Sequence, residues 1–154
     1  MEKKYASSVQ AQLGGAWDYE KAGWVNRLRL FLDSKDSDII TYNLGISGDT
    51  TNELLKRFDI EAKARNPSVI IFSIGDNDSI LIKSKNREMV PIEKFEDNLN
   101  RLIEKSKRFT KLIILLGCKK VDESKTTPIL WEKSYHYTNK NLKLYNNNMT
   151  SSPP

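Results

Sequence analysis

Two loops of the sequence contain residues able to stabilise a negative charge on oxygen. Residues 43–51 read Asn-Leu-Gly-Ile-Ser-Gly-Asp-Thr-Thr, and Gly48 lies just before a predicted helix. Backbone N–H groups at such a turn point out beside the positive end of the helix dipole, where they can hold an oxyanion or a phosphate. Residues 75–79 contain Asn77, whose side-chain amide can donate to a developing oxyanion. Both loops are also rich in residues that simply form turns, so this alternative stays open.

The elements that would position these loops are apolar runs alternating with amphipathic segments. Three runs, each followed by a glycine, predict buried parallel strands at 39–44, 69–74 and 112–116. Helical periodicity predicts helices around 24–32, 54–62 and 92–103, with a weaker one at 142–149. This alternation predicts a parallel sheet between layers of helices, with its functional crevice beyond the carboxyl ends of the strands.

The two ends of the chain are less typical. Residues 5–13 lack the dense apolar run of a buried strand, and residues 149–154 have the composition of a polar tail. We expect residues 5–12 to pair through the backbone, burying Ser and Gln where Val and Ile are usual, and so to weaken the core. The chain is predicted to be one domain over 1–154, in which 1–14 is an atypical N-terminal segment.

Composition excludes several classes of function. The 154 residues carry a formal charge of +5, with one cysteine and one histidine. This excludes an internal disulfide and any site that needs two imidazoles from this chain. The charge is too weak and too interleaved to predict nucleic-acid binding. No apolar run approaches the about 20 residues of a membrane span, and the polar start does not resemble a signal peptide, so we expect a cytoplasmic protein.

Five segments, in this order and spacing, resemble the SGNH hydrolases, also called GDSL-type esterases and lipases. They are Ala16-Trp17-Asp18, Gly23-Trp24-Val25, the loops 43–51 and 75–79, and Val121-Asp122-Glu123. The resemblance covers about residues 15–147. It implies a three-layer α/β/α sandwich with a flavodoxin-like parallel sheet, here with a degenerate first strand and a truncated C-terminal end. It also implies hydrolysis of small esters or thioesters through an acyl-enzyme, with Gly48 and Asn77 in the oxyanion hole.

The nucleophile that the resemblance implies is not found. Its position falls on Ala11, without the Gly-Asp that should precede a nucleophilic serine. Ser7 and Ser8 lie nearby, but using either as the nucleophile would require an insertion relative to the family pattern. Ser47 fails the G-x-S-x-G pattern because Asp49 stands where the last glycine belongs.

The histidine motif Asp-x-x-His is not found either. His136 lies between two tyrosines, with Lys133 where the aspartate belongs. Without a base, a serine hydroxyl stays protonated near neutral pH and is a poor nucleophile. We therefore expect an inactive or impaired hydrolase, whose unusual ends reflect divergence, truncation or a reading-frame shift. The alternative is a non-catalytic module that binds acyl, carbohydrate or anionic ligands in the same pocket.

Other chemistry has weaker support. Cys118 follows a predicted strand but has no neighbouring base, so packing explains it better than nucleophilic catalysis. The spread of lysines between 119 and 143 is typical of a solvated face, and no phosphate-binding loop with a lysine occurs. Carboxylates that follow predicted strands are hard-cation ligands in principle, but we expect no metal and no cofactor. These carboxylates are Asp49, Asp76, Asp78, Asp122 and Glu123.

Overall fold

A four-stranded parallel sheet forms the centre of the molecule. The structure, a computed structural model, describes residues 22–35 and 38–151, together with the backbone of a strand at 4–10. The strands are β1 Lys4–Gln10, β2 Ile39–Asn43, β3 Val69–Ser73, β4 Leu81–Ile82, β5 Arg87–Glu88, β6 Ile113–Leu116 and β7 Tyr135–His136. The helices are α1 Gly23–Asp33, α2 Thr51–Arg65, α3 Ile92–Ser106, α4 Glu123–Thr126 and α5 Asn139–Ser151, with a 3₁₀ turn at Lys83–Lys85. The main sheet has the order β2-β1-β3-β6.

The direction of each crossover explains how helices cover both faces of this sheet. The chain steps from β1 to β2 in one direction, and from β2 past β1 to β3 in the other. Because such crossovers are almost always right-handed, these two steps place α1 and α2 on opposite faces. The step from β3 to β6 repeats the second direction and places α3 beside α2. The result is the predicted three-layer α/β/α sandwich.

One hydrophobic cluster unites the second helical layer with the sheet. Phe72 of β3, Phe58 of α2 and Phe95 of α3 are at most 1% exposed. Tyr145 of α5 lies against Phe95 at a ring distance of 4.9 Å, and its hydroxyl donates to the Val90 carbonyl. The apolar runs and stripes of the sequence therefore identify this core correctly.

The segment expected to make a poor first strand does lie in the centre of the sheet. β1 pairs in parallel with β2 and β3, so that Ser7 is level with Tyr42 and with Ile70. Pairing through the backbone needs no apolar side chain, which confirms the expected role for residues 5–10, whereas residues 11 and 12 lie outside the described residues. The weakened core that should follow stays a prediction.

Two features differ from the sequence-based expectations. α5 continues to Ser151, and Met149 is buried in the core, so this residue belongs to the helix and not to a polar tail. A small antiparallel sheet, β5-β4-β7, was not predicted because strands of two residues have no periodic signal. In the part of the chain that the structure describes, no helix is long and apolar enough to cross a membrane.

Candidate active site

The two loops singled out in the sequence meet beyond the carboxyl ends of β2 and β3. The Asn77 Nδ2 atom donates to the Asp49 carbonyl oxygen at 2.8 Å, which joins the loop after β3 to the turn containing Gly48. Gly48 has a φ of +84°, in the left-handed region that favours glycine. An added Cβ at Gly48 would meet nothing within 4 Å, so the backbone conformation, and not crowding, calls for glycine. The turn is exposed, whereas Asn77 is buried.

A tyrosine that the sequence did not reveal orients Asn77. The Tyr137 hydroxyl donates to Asn77 Oδ1 at 2.8 Å, across 60 residues of sequence. Burial, with a smaller contribution from the charge of Asp76, raises the pKa of Tyr137 to about 12, so its hydroxyl keeps its proton. Because the amide oxygen accepts from Tyr137, the amide nitrogen is the atom that faces the Gly48–Asp49 turn. The nitrogen donates there to the Asp49 carbonyl, so the amide is held through both of its polar atoms.

A buried polar network fixes the start of α2 to the second loop. The Asp78 carboxylate accepts from the Thr51 backbone N–H at 3.0 Å and from its hydroxyl at 2.6 Å. Asn98 of α3 donates to the same hydroxyl at 2.9 Å. Burial raises the pKa of Asp78 to about 6, although the hydrogen bonds from Thr51 oppose this shift. The network therefore couples both loops to α3.

An ion pair between Arg57 and Asp49 supports the turn that contains Gly48. Arg57 Nε donates to Asp49 Oδ2 at 2.9 Å, and Arg57 Nη1 donates to the Leu44 carbonyl at 2.9 Å. Arg57 lies within α2 and Asp49 lies in the loop before it, so the ion pair connects the helix to the end of that loop. Its two side chains are 17% and 12% exposed. Asp49 thus contributes its carbonyl to Asn77 and its carboxylate to Arg57.

The carboxylates that follow the strands have separate partners. Burial raises the pKa of Asp76, and interactions with the Cys118 thiol and the Lys119 backbone N–H, which favour the carboxylate form, oppose this shift. Asp122 caps α4 by accepting from Ser124 N at 3.2 Å, and Glu123 accepts from Asn139 N at 2.7 Å. Among the residues that the structure describes, no three His, Cys, Asp or Glu side chains are grouped closely enough to hold a metal ion.

Cys118 has the environment of a packed thiol. Burial, and then the charge of Asp76, raises its pKa, so the nucleophilic thiolate is disfavoured. Its Sγ would lie 3.0 Å from a Cβ added to Gly75, a residue with a φ of +107°. Close packing against this turn is thus the physical role that the contacts support.

The structure does not bring a described serine and His136 together at the two loops. Ala11 and residues 16–18 lie outside the described residues. The backbones of Ser7 and Ser8 lie within β1, paired on both sides, and not beyond its end. Ser47 is exposed in the turn before Gly48. His136 lies in β7, opposite Leu81 of the small antiparallel sheet.

The fold and the position of the loops define a class. A three-layer sandwich whose polar loops gather at the carboxyl ends of a flavodoxin-like parallel sheet is the architecture of the SGNH hydrolases. The chain belongs to the GDSL-like lipase/acylhydrolase family, whose sequence model matches residues 8–152. This confirms the resemblance inferred from the sequence motifs.

Solved structures share this fold, and one curated relative matches part of the chain. An acetylxylan esterase from Geobacillus stearothermophilus is similar, with a TM-score of 0.69, 20% identity and coverage of 96% of this chain and 70% of that chain. TesA is similar with a TM-score of 0.72, 18% identity and coverage of 96% and 72%. An uncharacterised lipoprotein of Bacillus subtilis, YqeF, is 29% identical over 109 residues. That match spans 68% of this chain and only 43% of the relative's length.

Replacing Tyr137 with phenylalanine is expected to lower the free energy of unfolding by about 1 kcal/mol, because Asn77 Oδ1 loses its buried hydrogen bond. Urea titration measures this change. Tyr135→Phe removes the same atom from a half-buried tyrosine whose hydroxyl has no hydrogen bond to a described residue, and it should be nearly neutral. Equal losses in the two variants would contradict the orienting role of Tyr137.

Proposed function

We propose that this chain recognises small carboxylic esters or thioesters through the carbonyl oxygen. The donors are the backbone N–H of Gly48 and the Asn77 side-chain amide. The observation that supports this most is the pair of contacts on Asn77. Tyr137 holds its oxygen, and its nitrogen faces the Gly48–Asp49 turn. A carbonyl oxygen that takes the place of the Asp49 carbonyl would meet an amide that is already oriented, so little reorganisation is needed to bind a developing negative charge.

The same proposal holds that turnover is impaired. The position that the family motif gives to its nucleophile is Ala11, and His136 lacks the Asp-x-x-His context. Loss of the serine or of the histidine removes most of the acceleration of a catalytic triad, leaving what carbonyl stabilisation and binding supply. We therefore expect ester binding with hydrolysis far slower than an intact triad would give, at the level that carbonyl stabilisation and binding alone supply.

Acetyl esters test this proposal. They are chosen because one structural neighbour is an acetylxylan esterase. Hydrolysis of p-nitrophenyl acetate and of acetylated xylooligosaccharides should be slow, and the excess over an Asn77→Ala control measures the share that carbonyl stabilisation supplies. A serine-directed phosphonate should leave the rate unchanged. Saturable turnover that the phosphonate abolishes, and that Ser7→Ala or Ser8→Ala removes, would overturn the impaired-hydrolase proposal.

A second candidate is a module whose role is binding alone, for acyl, carbohydrate or anionic ligands. The observation that favours it is the pre-set orientation of Asn77, which needs no catalytic partner. Calorimetry with acetate and short acyl amides tests whether the loops around Gly48 and Asn77 bind a ligand at all, which both candidate functions require. Binding that Asn77→Ala abolishes supports recognition, whereas no heat at millimolar ligand would argue against both.

The cytoplasmic location that composition predicts is likewise a proposal. The single cysteine agrees with a reducing compartment. The Bacillus subtilis relative carries the name lipoprotein, and that name describes the relative.

A further inference from the structure

Two asparagines of α5 hold the loop that follows β6. The Asn146 side chain accepts from the Cys118 N–H at 2.6 Å and donates to the Cys118 carbonyl at 2.9 Å. The Asn139 side chain makes the same pair of bonds with Val121, each at 3.0 Å. Residues 118–121, here called the clamped loop, are thus fixed at both ends. Asn139 and Asn146 lie seven residues apart, about two turns, and so on one face of the helix.

A cavity of about 340 Å³ lies between the clamped loop and this helix face. This volume falls within the range of small-molecule sites. The residues that line it are Cys118, Lys120, Asn139, Leu142, Lys143 and Asn146. Since the loop is held by four hydrogen bonds, the cavity exists before any ligand binds.

The lining combines an apolar wall with two uncompensated positive charges. Leu142 is only 2% exposed, and burial favours the neutral thiol of Cys118. Lys120 and Lys143 are exposed, and neither makes an ion pair with a described residue. None of the described residues that line the cavity is a carboxylate.

The carboxylates nearest in sequence bind elsewhere. Asp122 accepts from Ser124 N and Oγ, and Glu123 accepts from the Asn139 N–H. The amides of Asn139 and Asn146 are engaged by the loop backbone. The charged groups that line the cavity are therefore the two ammonium groups, while the Asp76 carboxylate, which is not among the lining residues, interacts with the thiol of the lining residue Cys118.

We propose that this cavity binds a small organic acid. Its carboxylate would lie between Lys120 and Lys143, and its short hydrocarbon chain would lie against Leu142. The hydrocarbon wall selects an acid with an apolar chain over an inorganic anion, and the two cations select an acid over an alcohol. This site is separate from ester recognition at Gly48 and Asn77, because it shares no lining residue with them.

Hexanoate titration followed by backbone amide NMR tests the proposal on the full chain. Shifts are expected in residues 118–121 and 139–146, with weaker binding of hexanol and of sulfate. Lys120→Gln and Lys143→Gln should each weaken hexanoate binding about two- to fivefold, as expected for exposed charge pairs. Lys140→Gln is the matched control, since it removes the same charge from the same helix outside the cavity. Added salt should weaken binding, because it screens exposed charges.

Three results would overturn the inference. One is equal binding of hexanol and hexanoate, and another is equal affinity of the Lys120→Gln, Lys143→Gln and Lys140→Gln variants for hexanoate. The third is the absence of shifts around the clamped loop at millimolar hexanoate. If shifts instead centre on residues 48 and 77 and vanish in Asn77→Ala, this inference fails while ester recognition stands. Shifts at the clamped loop that persist in Asn77→Ala support it independently of the proposed function.

Discussion

Replacing Arg57 with methionine is expected to lower the free energy of unfolding by about 3 kcal/mol or more, the cost of leaving a partly buried carboxylate without its partner. Asp49 is 9% exposed and accepts from Arg57 Nε at 2.9 Å. Arg57 Nη2 lies 2.9 Å from the same oxygen, outside hydrogen-bonding alignment. The Leu44 carbonyl also loses its donor in the variant. The turn containing Gly48 is thus expected to lose its support.

Urea unfolding of four proteins measures this effect. Lys94→Met is the matched control, because it breaks the exposed Lys94–Asp97 pair and should cost less than about 1 kcal/mol. The double variant Asp49→Asn/Arg57→Met should recover much of the lost stability, since no unpaired charge remains. If Arg57→Met behaves like Lys94→Met, the ion pair does not support the turn. The same variant should also weaken ester recognition, because Asn77 donates to the Asp49 carbonyl.

The second large effect concerns Asp78 and pH. Its folded-state pKa is raised from 3.8 to about 6, mainly by burial. Between these values the folded protein binds more protons than the unfolded chain, so this group's contribution to stability is present at low pH and is lost as pH rises through about 6. A shift of about two units corresponds to on the order of 2–3 kcal/mol.

Asp78→Asn should remove this dependence, because the amide is neutral throughout and its oxygen still accepts from Thr51. The measurement is the free energy of unfolding of wild type and variant across the range from pH 3.8 to about 6. As pH rises, the free energy of unfolding of the variant should increase relative to that of wild type. Asp97→Asn is the control: hydrogen bonding to Lys94 lowers the pKa of exposed Asp97, so its own pH dependence lies mainly below pH 3.8 and its profile should stay close to that of wild type across the measured range. Parallel pH profiles for wild type and Asp78→Asn would refute the assignment.

Local pattern was enough to place the main elements of the fold. The apolar runs at 69–74 and 112–116 lie on β3 and β6, and the amphipathic stripes lie on α1, α2, α3 and α5. Periodicity reports which side of a segment is buried, so it succeeds wherever a segment is long and one-sided. It fails for β4, β5 and β7, which are two residues each, and it underestimates β1, whose place in the sheet depends on its backbone and its two neighbours.

The sequence by itself determined the fold class and the two loops that carry Gly48 and Asn77, because turn residues and apolar periodicity are properties of neighbouring residues. The family followed from the resemblance of five segments, in their order and spacing, to a known pattern. Only the tertiary structure decided what holds those loops. Tyr137 reaches Asn77 across 60 residues, and Thr51 reaches Asp78 across 27. Hydrogen bonds over such separations depend on which strands the crossovers bring together, and the side chains involved leave no trace in local composition. Local motifs therefore identify the residues proposed for the site. The packing of α3, α5 and β7 around the two loops sets the positions of those residues.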